Sequence, residues 1–283
     1  MRIQKRYSFD AGEFEYLYSY EELPDETKDE LRRNYLDINR DAEFFTEYCQ
    51  DYIKDLFGHA ADQGLKVGYS LNYCQGDGLI IYGDLYLNTI VAATKDSNSE
   101  WARKGYASAL LDSMPLADWA VVKQTDLHVG GIIRFKHSGR YANWGCMTCE
   151  YDSDYLYDTE ASAVEIVQSA NNELYTEALD DMLSISDDDE RELACVNYVI
   201  KVLEALTDEI ISYIKEIADH LEQRGYDYFY EAEDADIKEF YSWQAESETG
   251  NIVFDNKGRP FESKYNIICF NGTEMYKTIA AAF

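Results

Sequence analysis

The sequence predicts an α+β protein, with an antiparallel sheet of hairpins packed with helices and a long acidic helical region after it. Two stretches alternate residue types with the two-residue period of a β-strand, around a glycine-rich turn at residues 75–78. Apolar residues between Val196 and Leu221 recur every three or four positions, which is the period of an amphipathic helix. Because 46% of the 283 residues are hydrophobic and 14% are aromatic, the chain can bury a substantial core.

Residues 1–150 are predicted to form the domain that contains the sheet. Aromatic and charged residues alternate over residues 1–20, where a strand is expected. A helix then opens near Pro24, because proline is tolerated in a first helical turn. The predicted apolar face of this helix consists of Leu31, Tyr35 and Ile38.

A second helix is expected over residues 41–57. Its predicted core-facing residues are Phe44, Phe45, Tyr48, Tyr52, Leu56 and Phe57. The remaining elements of this domain are expected to be strands at 66–73 and 79–87, a short helix near 100–112, and a second hairpin of 126–137 and 141–151 with its turn at 138–140.

Residues 151–250 form the predicted acidic helical region. One helix is expected over about 159–183. A longer one is expected from Ser186, a good N-cap, to Gly225, which occupies the position of a C-terminal capping glycine. At about 35 residues the longer helix would extend roughly 50 Å. Its predicted outward face carries Glu204, Asp208, Glu209, Glu216, Asp219 and Glu222.

Residues 251–283 are expected to add a C-terminal strand and helix that return to the core. A strand is predicted at 251–254, before the turn at 255–258, and a last strand is predicted at 265–270. These boundaries give three predicted parts of the chain: 1–150, 151–250 and 251–283.

The acidic charge is concentrated in the second half of the chain. Residues 150–250 contain 29 acidic and five basic residues, a net charge of −24 out of −30 for the whole chain. Such a surface repels nucleic acid and anionic membrane and attracts basic surfaces, such as those of nucleic-acid-binding proteins. No apolar run approaches 18 residues, no signal peptide is evident and the six cysteines are scattered, so we expect a cytoplasmic protein.

Several short segments resemble a family of uncharacterised phage and prophage proteins. They are Tyr7-Ser8-Phe9, the segment from Tyr20 to Lys28, Gln75-Gly76-Asp77-Gly78 and the segment from Lys136 to Tyr141. The resemblance covers most of residues 7–150 and extends more loosely to Asp255–Gly258. It implies a phage origin and favours a role against host defence, but it brings no catalytic residues with it.

Four local motifs offer competing interpretations. Asp77 either lies at a binding cleft or belongs to a tight turn, and we favour the turn. Residues 101–111 resemble the pyrophosphate loop of acetyl-CoA-dependent acetyltransferases, although Ala102 and Ala107 depart from that pattern.

A single Cys146-x-x-Cys149 motif predicts neither zinc nor a redox dithiol. The basic residues Lys123, Arg134, Lys136 and Arg140 either bind phosphate or pair with the protein's own acids, and we favour pairing.

We therefore expect a phage-encoded inhibitor that acts as an acidic nucleic-acid mimic, without catalytic residues, cofactor or metal. Its partner would be a restriction, CRISPR or related defence protein with a basic surface, and homo-oligomers remain an option. The alternatives are an interaction module that uses aromatic patches and, third, an acetyltransferase-like enzyme.

Calcium binding at residues 187–190 is disfavoured relative to helix capping. The predicted partner-binding residues are Asp180, Asp181, Asp187, Asp188, Asp189, Glu190, Glu204, Asp208, Glu209, Glu216, Asp219, Asp227, Glu231, Glu233 and Asp234.

Overall fold

The computed structural model describes residues 3–8, 13–58, 64–74, 76–137, 142–157, 162–247, 252–262, 268–271 and 274–277. The chain divides into two compact units: unit 1 contains Met1–Asp41 and Tyr226–Phe283, and unit 2 contains Ala42–Gly225. These limits do not coincide with the predicted boundaries after residues 150 and 250. The predicted boundaries were placed where the acidic stretch of the sequence begins and ends. Unit 1 instead contains both ends of the chain, because strands from the two ends pair in one sheet.

The secondary-structure elements are as follows in chain order. The strands are β1 (Ile3–Ser8), β2 (Glu13–Leu17), β3 (Leu65–Ser70), β4 (Gly78–Tyr86), β5 (Ile132–His137), β6 (Met147–Tyr151), β7 (Ile252–Phe254), β8 (Pro260–Glu262), β9 (Ile268–Asn271) and β10 (Glu274–Lys277). The helices are α1 (Asp25–Asn39), α2 (Ala42–Phe57), α3 (Leu87–Lys95), α4 (Glu100–Arg103), α5 (Tyr106–Ser113), α6 (Leu116–His128), α7 (Asp154–Tyr157), α8 (Ala163–Glu173), α9 (Glu177–Leu183), α10 (Asp188–Tyr230) and α11 (Asp234–Gln244).

Unit 1 is built on an antiparallel sheet of strand order β10-β9-β1-β2 and a small hairpin of β7 and β8. Tyr18 and Phe254 join the two parts through a pair of backbone hydrogen bonds, each 2.8 Å long. Helices α1 and α11 pack together over a shared apolar core. The buried residues of this core are Tyr20, Leu23, Leu31, Tyr35, Ile237, Tyr241 and Phe254.

Unit 2 contains an antiparallel meander of strand order β3-β4-β5-β6, and helices supply the rest of its core. Strands β3 and β4 pair from Leu65 opposite Gly83 to Ser70 opposite Gly78, which confirms the first predicted hairpin. Strands β5 and β6 pair as the second, although the predicted turn at 138–140 lies outside the described residues. An antiparallel sheet packed with helices confirms the predicted α+β class.

Several predicted elements are wrong in detail. Residues 126–128 end α6 and are not strand, and neither α3 nor α6 was predicted. The single helix predicted over 159–183 is two helices, because the chain leaves helical geometry at Leu174 and restarts where the Thr176 hydroxyl accepts from the Leu179 amide at 3.3 Å. In the last part of the chain, β9 confirms a strand near 265–270, whereas residues 274–277 form strand β10 and not the predicted C-terminal helix. The remaining residues of the predicted C-terminal helix lie outside the described ranges.

Three aromatic or aliphatic residues predicted to face the core are exposed: Ile38 by 64%, Phe44 by 59% and Tyr48 by 39%. Helix α2 buries a narrow stripe at every third or fourth position, which leaves Phe44 and Tyr48 beside it. The buried stripe consists of Phe45, Cys49, Ile53, Leu56 and Phe57. None of the helices in the described ranges combines the length and the apolar run that crossing a bilayer requires.

Candidate functional site

The dominant feature of unit 2 is the amphipathic helix α10. It contains 43 residues, and its residues up to Gly225 belong to this unit. The apolar positions predicted from the helical period are buried, from Val199 to Leu221. The helix contacts several neighbours: the Tyr198 hydroxyl donates to Asp118 of α6 at 2.5 Å, and the Tyr213 ring lies edge-on to Trp101. The burial of one stripe leaves the opposite face to polar residues.

Gly225 does not end the helix, contrary to the prediction. It is buried inside α10, and a β-carbon there would lie 2.8 Å from the Phe45 ring and against Leu71. The glycine therefore allows close packing of the helix on α2 and the end of β3. The helix continues through Tyr230 because nothing at Gly225 interrupts its hydrogen bonding.

The start of α10 is capped by Asp187, not by the predicted Ser186. One carboxylate oxygen of Asp187 accepts from the Glu190 amide at 2.9 Å. Arg191 pairs with Asp188 and donates to the Ile185 carbonyl at 3.0 Å. Acids in a first helical turn interact favourably with the helix dipole, so part of this cluster is structural. Within the described residues no group of three or more histidine, cysteine or acidic side chains is arranged to hold a metal ion.

A stripe of exposed carboxylates follows α10 on the face away from the core. We call Glu204, Asp208, Glu216 and Asp219 the α10 stripe; all four are exposed, and none of their carboxylates has a hydrogen bond or ion pair to a residue that the structure describes. Glu209 is half-buried, and its carboxylate lies 3.5 Å from the Tyr213 hydroxyl. Glu222 was predicted to join this face but turns inward. It accepts from the Leu79 amide at 3.3 Å, and burial raises its pKa.

The other predicted partner-binding residues lie elsewhere in the two units. In unit 2, Asp181, Asp189 and Glu190 are exposed, and Asp180 is half-buried and lies 3.5 Å from the Tyr175 hydroxyl. In unit 1, Asp227, Glu231, Glu233 and Asp234 are all exposed.

Asp234 is already engaged inside unit 1. It accepts from the Tyr20 hydroxyl at 3.1 Å and pairs with Arg32 at 3.4 Å. Burial and this carboxylate raise the pKa of Tyr20 to about 12. Asp234 therefore serves the core of unit 1 and is a weaker candidate for partner binding than the exposed acids that lack such contacts.

Three basic residues of unit 2 pair with acids that lie outside the α10 stripe. Lys123 pairs with Glu173, and Lys136 pairs with Glu150 across the sheet. Arg134 pairs with Asp84 and Asp152, at 3.1 Å each. These contacts confirm the predicted pairing of the basic residues with the protein's own acids, although Arg140 lies outside the described residues. The α10 stripe is left without these cations as counterions.

Asp77 organises a turn, as predicted. Its carboxylate accepts from the Cys74 amide at 2.6 Å, the Ser70 hydroxyl at 2.7 Å and the Asn72 amide at 2.7 Å. The Cys74 amide, followed by the Ser70 hydroxyl, lowers the pKa of this carboxylate. All three contacts serve the loop between β3 and β4, so the group is committed to local structure.

The two cysteines of the Cys146-x-x-Cys149 motif lie in different environments. Cys146 belongs to a single turn of 3₁₀ helix, and Cys149 belongs to β6. Burial, with a smaller contribution from Asp208, raises the pKa of the Cys149 thiol to about 12. A thiol that stays protonated at neutral pH is a poor nucleophile and a poor metal ligand.

The segment that resembles a pyrophosphate loop joins two short helices, α4 and α5. Gly105 has a φ of +87° and precedes α5, and Arg103 pairs with Glu100 at 2.7 Å. The Lys104 ammonium lies 4.7 Å from the centre of the Tyr52 ring. Both cations of this segment therefore have contacts within unit 2, and the acetyltransferase interpretation stays a prediction.

A groove in unit 1 was not predicted from the sequence. We call it the α11 groove; its volume is about 460 Å³, and it is lined by Tyr35, Ile38, Asn39, Asp236, Glu239, Phe240 and Trp243. The sequence does contain one indication of this groove, because the helical spacing places Asp236, Glu239, Phe240 and Trp243 on one face. Their pairing with α1 is a long-range contact that the sequence pattern does not reveal.

No protein-family model, curated protein or solved structure matches this chain. The resemblance of residues 7–150 to phage and prophage proteins therefore stays a prediction.

Proposed function

We propose that this chain is a binding protein whose acidic surface on unit 2 occupies the basic nucleic-acid site of a host-defence protein and so inhibits it. The observation that carries the proposal is the α10 stripe, whose four exposed carboxylates have no hydrogen bond or ion pair to the described residues. Lys123, Arg134 and Lys136 of the same unit are paired with other acids. A partner protein with a basic surface would neutralise the negative charge of this stripe.

The spacing of the stripe limits how it acts. From Glu204 to Asp219 the helix rises about 22 Å, at about 1.5 Å per residue. Four carboxylates over that length give roughly one charge per 6 Å, whereas duplex DNA carries about one per 1.7 Å. Helix α10 alone therefore does not reproduce a duplex. The proposed surface also needs the acids before and at the start of α10: Asp180, Asp181, Asp187, Asp188, Asp189 and Glu190.

The test is an inhibition assay on purified restriction and CRISPR nucleases with a DNA substrate. The test variant neutralises the stripe: Glu204→Gln, Asp208→Asn, Glu216→Gln and Asp219→Asn. The matched control removes four exposed acids from α2 of the same unit: Glu43→Gln, Glu47→Gln, Asp51→Asn and Asp55→Asn. Both variants carry the same net charge, so a difference between them reports position and not total charge.

We expect the stripe variant to lose inhibition and the α2 variant to keep it. Exposed ion pairs contribute about 0.2–1 kcal/mol each, so losing four weakens binding by roughly 1–4 kcal/mol. Equal inhibition by the parent and both variants would show that the stripe is a solvated surface. An equal loss in both variants would assign the effect to net charge alone.

A further inference from the structure

The α11 groove combines aromatic rings with acidic side chains. Its volume of about 460 Å³ is within the range of ligand-binding pockets, roughly 300–1,000 Å³. On its aromatic side, the Tyr35 and Phe240 rings pack edge to face, with their ring centres 5.5 Å apart. Trp243 is 79% exposed, whereas tryptophan side chains are highly buried on average. Aromatic faces carry negative charge density and attract cations.

Unit 1 already contains an example of this attraction. The guanidinium carbon of Arg40 lies 5.4 Å from the centre of the Tyr35 ring and 4.9 Å from that of Tyr228. Arg40 is not among the residues that line the groove. Trp243 has no such cation among the described residues, although indole is the strongest of the aromatic cation acceptors.

The acids of the groove are Asp236 and Glu239. Both are exposed, and neither carboxylate has a hydrogen bond or an ion pair to any residue in the described part of the chain. The nearby cations of unit 1 have other partners, since Lys238 pairs with Glu21 at 2.7 Å and Arg32 pairs with Asp234. The groove is lined by two carboxylates and no basic side chain, so its charge complements a cation.

We propose that the α11 groove binds an arginine side chain of a partner polypeptide, together with an apolar residue next to that arginine. A guanidinium group can stack on Trp243 while it donates to Asp236 and Glu239, which a compact ammonium group does less well. The exposed apolar side chain of Ile38 favours a polypeptide over a free small cation, because a cation alone would leave Ile38 in water. Tryptophan is also enriched among the residues that dominate protein interfaces.

This site is separate from the one under the proposed function. It uses residues of unit 1, whereas the α10 stripe belongs to unit 2. Each can therefore be changed without touching the other, and failure of one proposal leaves the other standing.

The test follows the indole NH signals of the full-length protein by two-dimensional ¹⁵N NMR. The chain has four tryptophans, so the Trp243 signal is assigned by its loss in Trp243→Phe. The probe is the tripeptide acetyl-Leu-Arg-Leu-amide, and its neutral analogue carries citrulline in place of arginine. We expect the arginine peptide to shift the Trp243 signal saturably and to bind about tenfold more tightly than the citrulline peptide.

Two variants locate the effect. Asp236→Asn with Glu239→Gln should weaken binding of the arginine peptide by about fivefold or more. Glu47→Gln with Asp55→Asn removes the same charge from exposed positions of α2 in unit 2 and should leave that binding unchanged. The proposal is overturned if the arginine and citrulline peptides bind equally, or if the two double variants behave alike.

A third probe tests the source of the guanidinium. Acetyl-arginine-amide lacks the flanking leucines and should bind several-fold more weakly than the tripeptide, because it leaves Ile38 uncovered. Equal binding of the two would make a small guanidinium compound the ligand and overturn the assignment to a polypeptide. Absence of any shift at Trp243 with all three probes would show that the groove is not a cation site.

Discussion

At Gly225 the backbone of α10 lies against the Phe45 ring, so a single methyl group there has no room. Replacing a glycine by alanine inside a helix ordinarily stabilises it by about 1 kcal/mol. Overpacking a buried site costs about 1–3 kcal/mol, and the close approach to Leu71, together with the contact with Phe45 at 2.8 Å, makes this the larger effect. We therefore expect Gly225→Ala to lower the free energy of unfolding, measured in urea.

A double-mutant cycle separates the two effects at Gly225. Leu71→Ala removes one of the side chains that the new methyl group would meet. In that background Gly225→Ala should cost less than in the parent, because the cavity accepts the methyl group. A stabilising Gly225→Ala in the parent protein would contradict the packing described for α10.

The Asp77 carboxylate gives a pH-dependent prediction. Its pKa is lowered in the folded state, chiefly by the Cys74 amide and then by the Ser70 hydroxyl. Its stabilising effect is therefore fully present above the unfolded pKa, about 3.9, and is lost as the pH falls through the folded pKa. Asp77→Asn should be less stable than the parent at pH 7, and the difference should shrink below about pH 4.

Urea unfolding of parent and Asp77→Asn at pH 7 and at pH 3 measures this difference. Asp55→Asn is the control, because it removes an exposed aspartate from α2. If the Asp77→Asn difference is the same at both pH values, the contacts of the carboxylate with the turn do not depend on its charge.

At the scale of one element, the start of α10 depends on which residue caps it. Asp187 accepts from the Glu190 amide, while Ser186 precedes the cap. Replacing a capping aspartate by alanine costs about 1 kcal/mol. We expect Asp187→Ala to destabilise the protein by about that amount and Ser186→Ala to have little effect. Thermal and urea unfolding of both variants provide the check, and the reverse order of effects would restore Ser186 as the cap.

The same helix shows why charge and stability can be changed separately. Its buried stripe, including Leu206, Ile210 and Ile214, provides the packing energy, while the α10 stripe lies in water. Neutralising the α10 stripe leaves the buried residues in place and removes repulsion between like charges. If that variant loses inhibition, the loss is therefore due to the missing carboxylates and not to unfolding.

For the whole molecule, the net charge of −30 predicts how salt acts on stability. Exposed ion pairs weaken as salt is added, but each contributes only about 0–1 kcal/mol. The repulsion among 55 acidic residues, opposed by 25 basic ones, is screened at the same time. Repulsion is the larger effect, so the melting temperature should rise between 20 mM and 500 mM sodium chloride.

We expect this rise to be roughly 2–4 °C for each kcal/mol of repulsion that the salt screens, which is the shift typical of a domain of about this size. The variant that lacks the four charges of the α10 stripe should show a smaller rise. A melting temperature that is flat or falls with salt would mean that the internal ion pairs, such as those of Arg134, outweigh the repulsion.

The sequence by itself determined the α+β class, the hairpin of β3 and β4, the core face of α10 and the turn at Asp77. Each of these depends on residues close together in the chain. The helical period places Val199, Leu203 and Leu206 on one side whatever they pack against. Likewise, the loop around Asp77 closes on itself through the amides of Asn72 and Cys74.

Only the tertiary structure decided the features that depend on distant residues. Gly225 looks like a helix end until Phe45 and Leu71 are placed against it. Ile38 lies on the apolar side of α1 by period, yet it is exposed, and it lines a groove completed by Asp236 and Trp243 more than 190 residues away. Periodicity fixes which residues share a face, but the partner of that face is set by long-range packing, which single-sequence patterns do not encode.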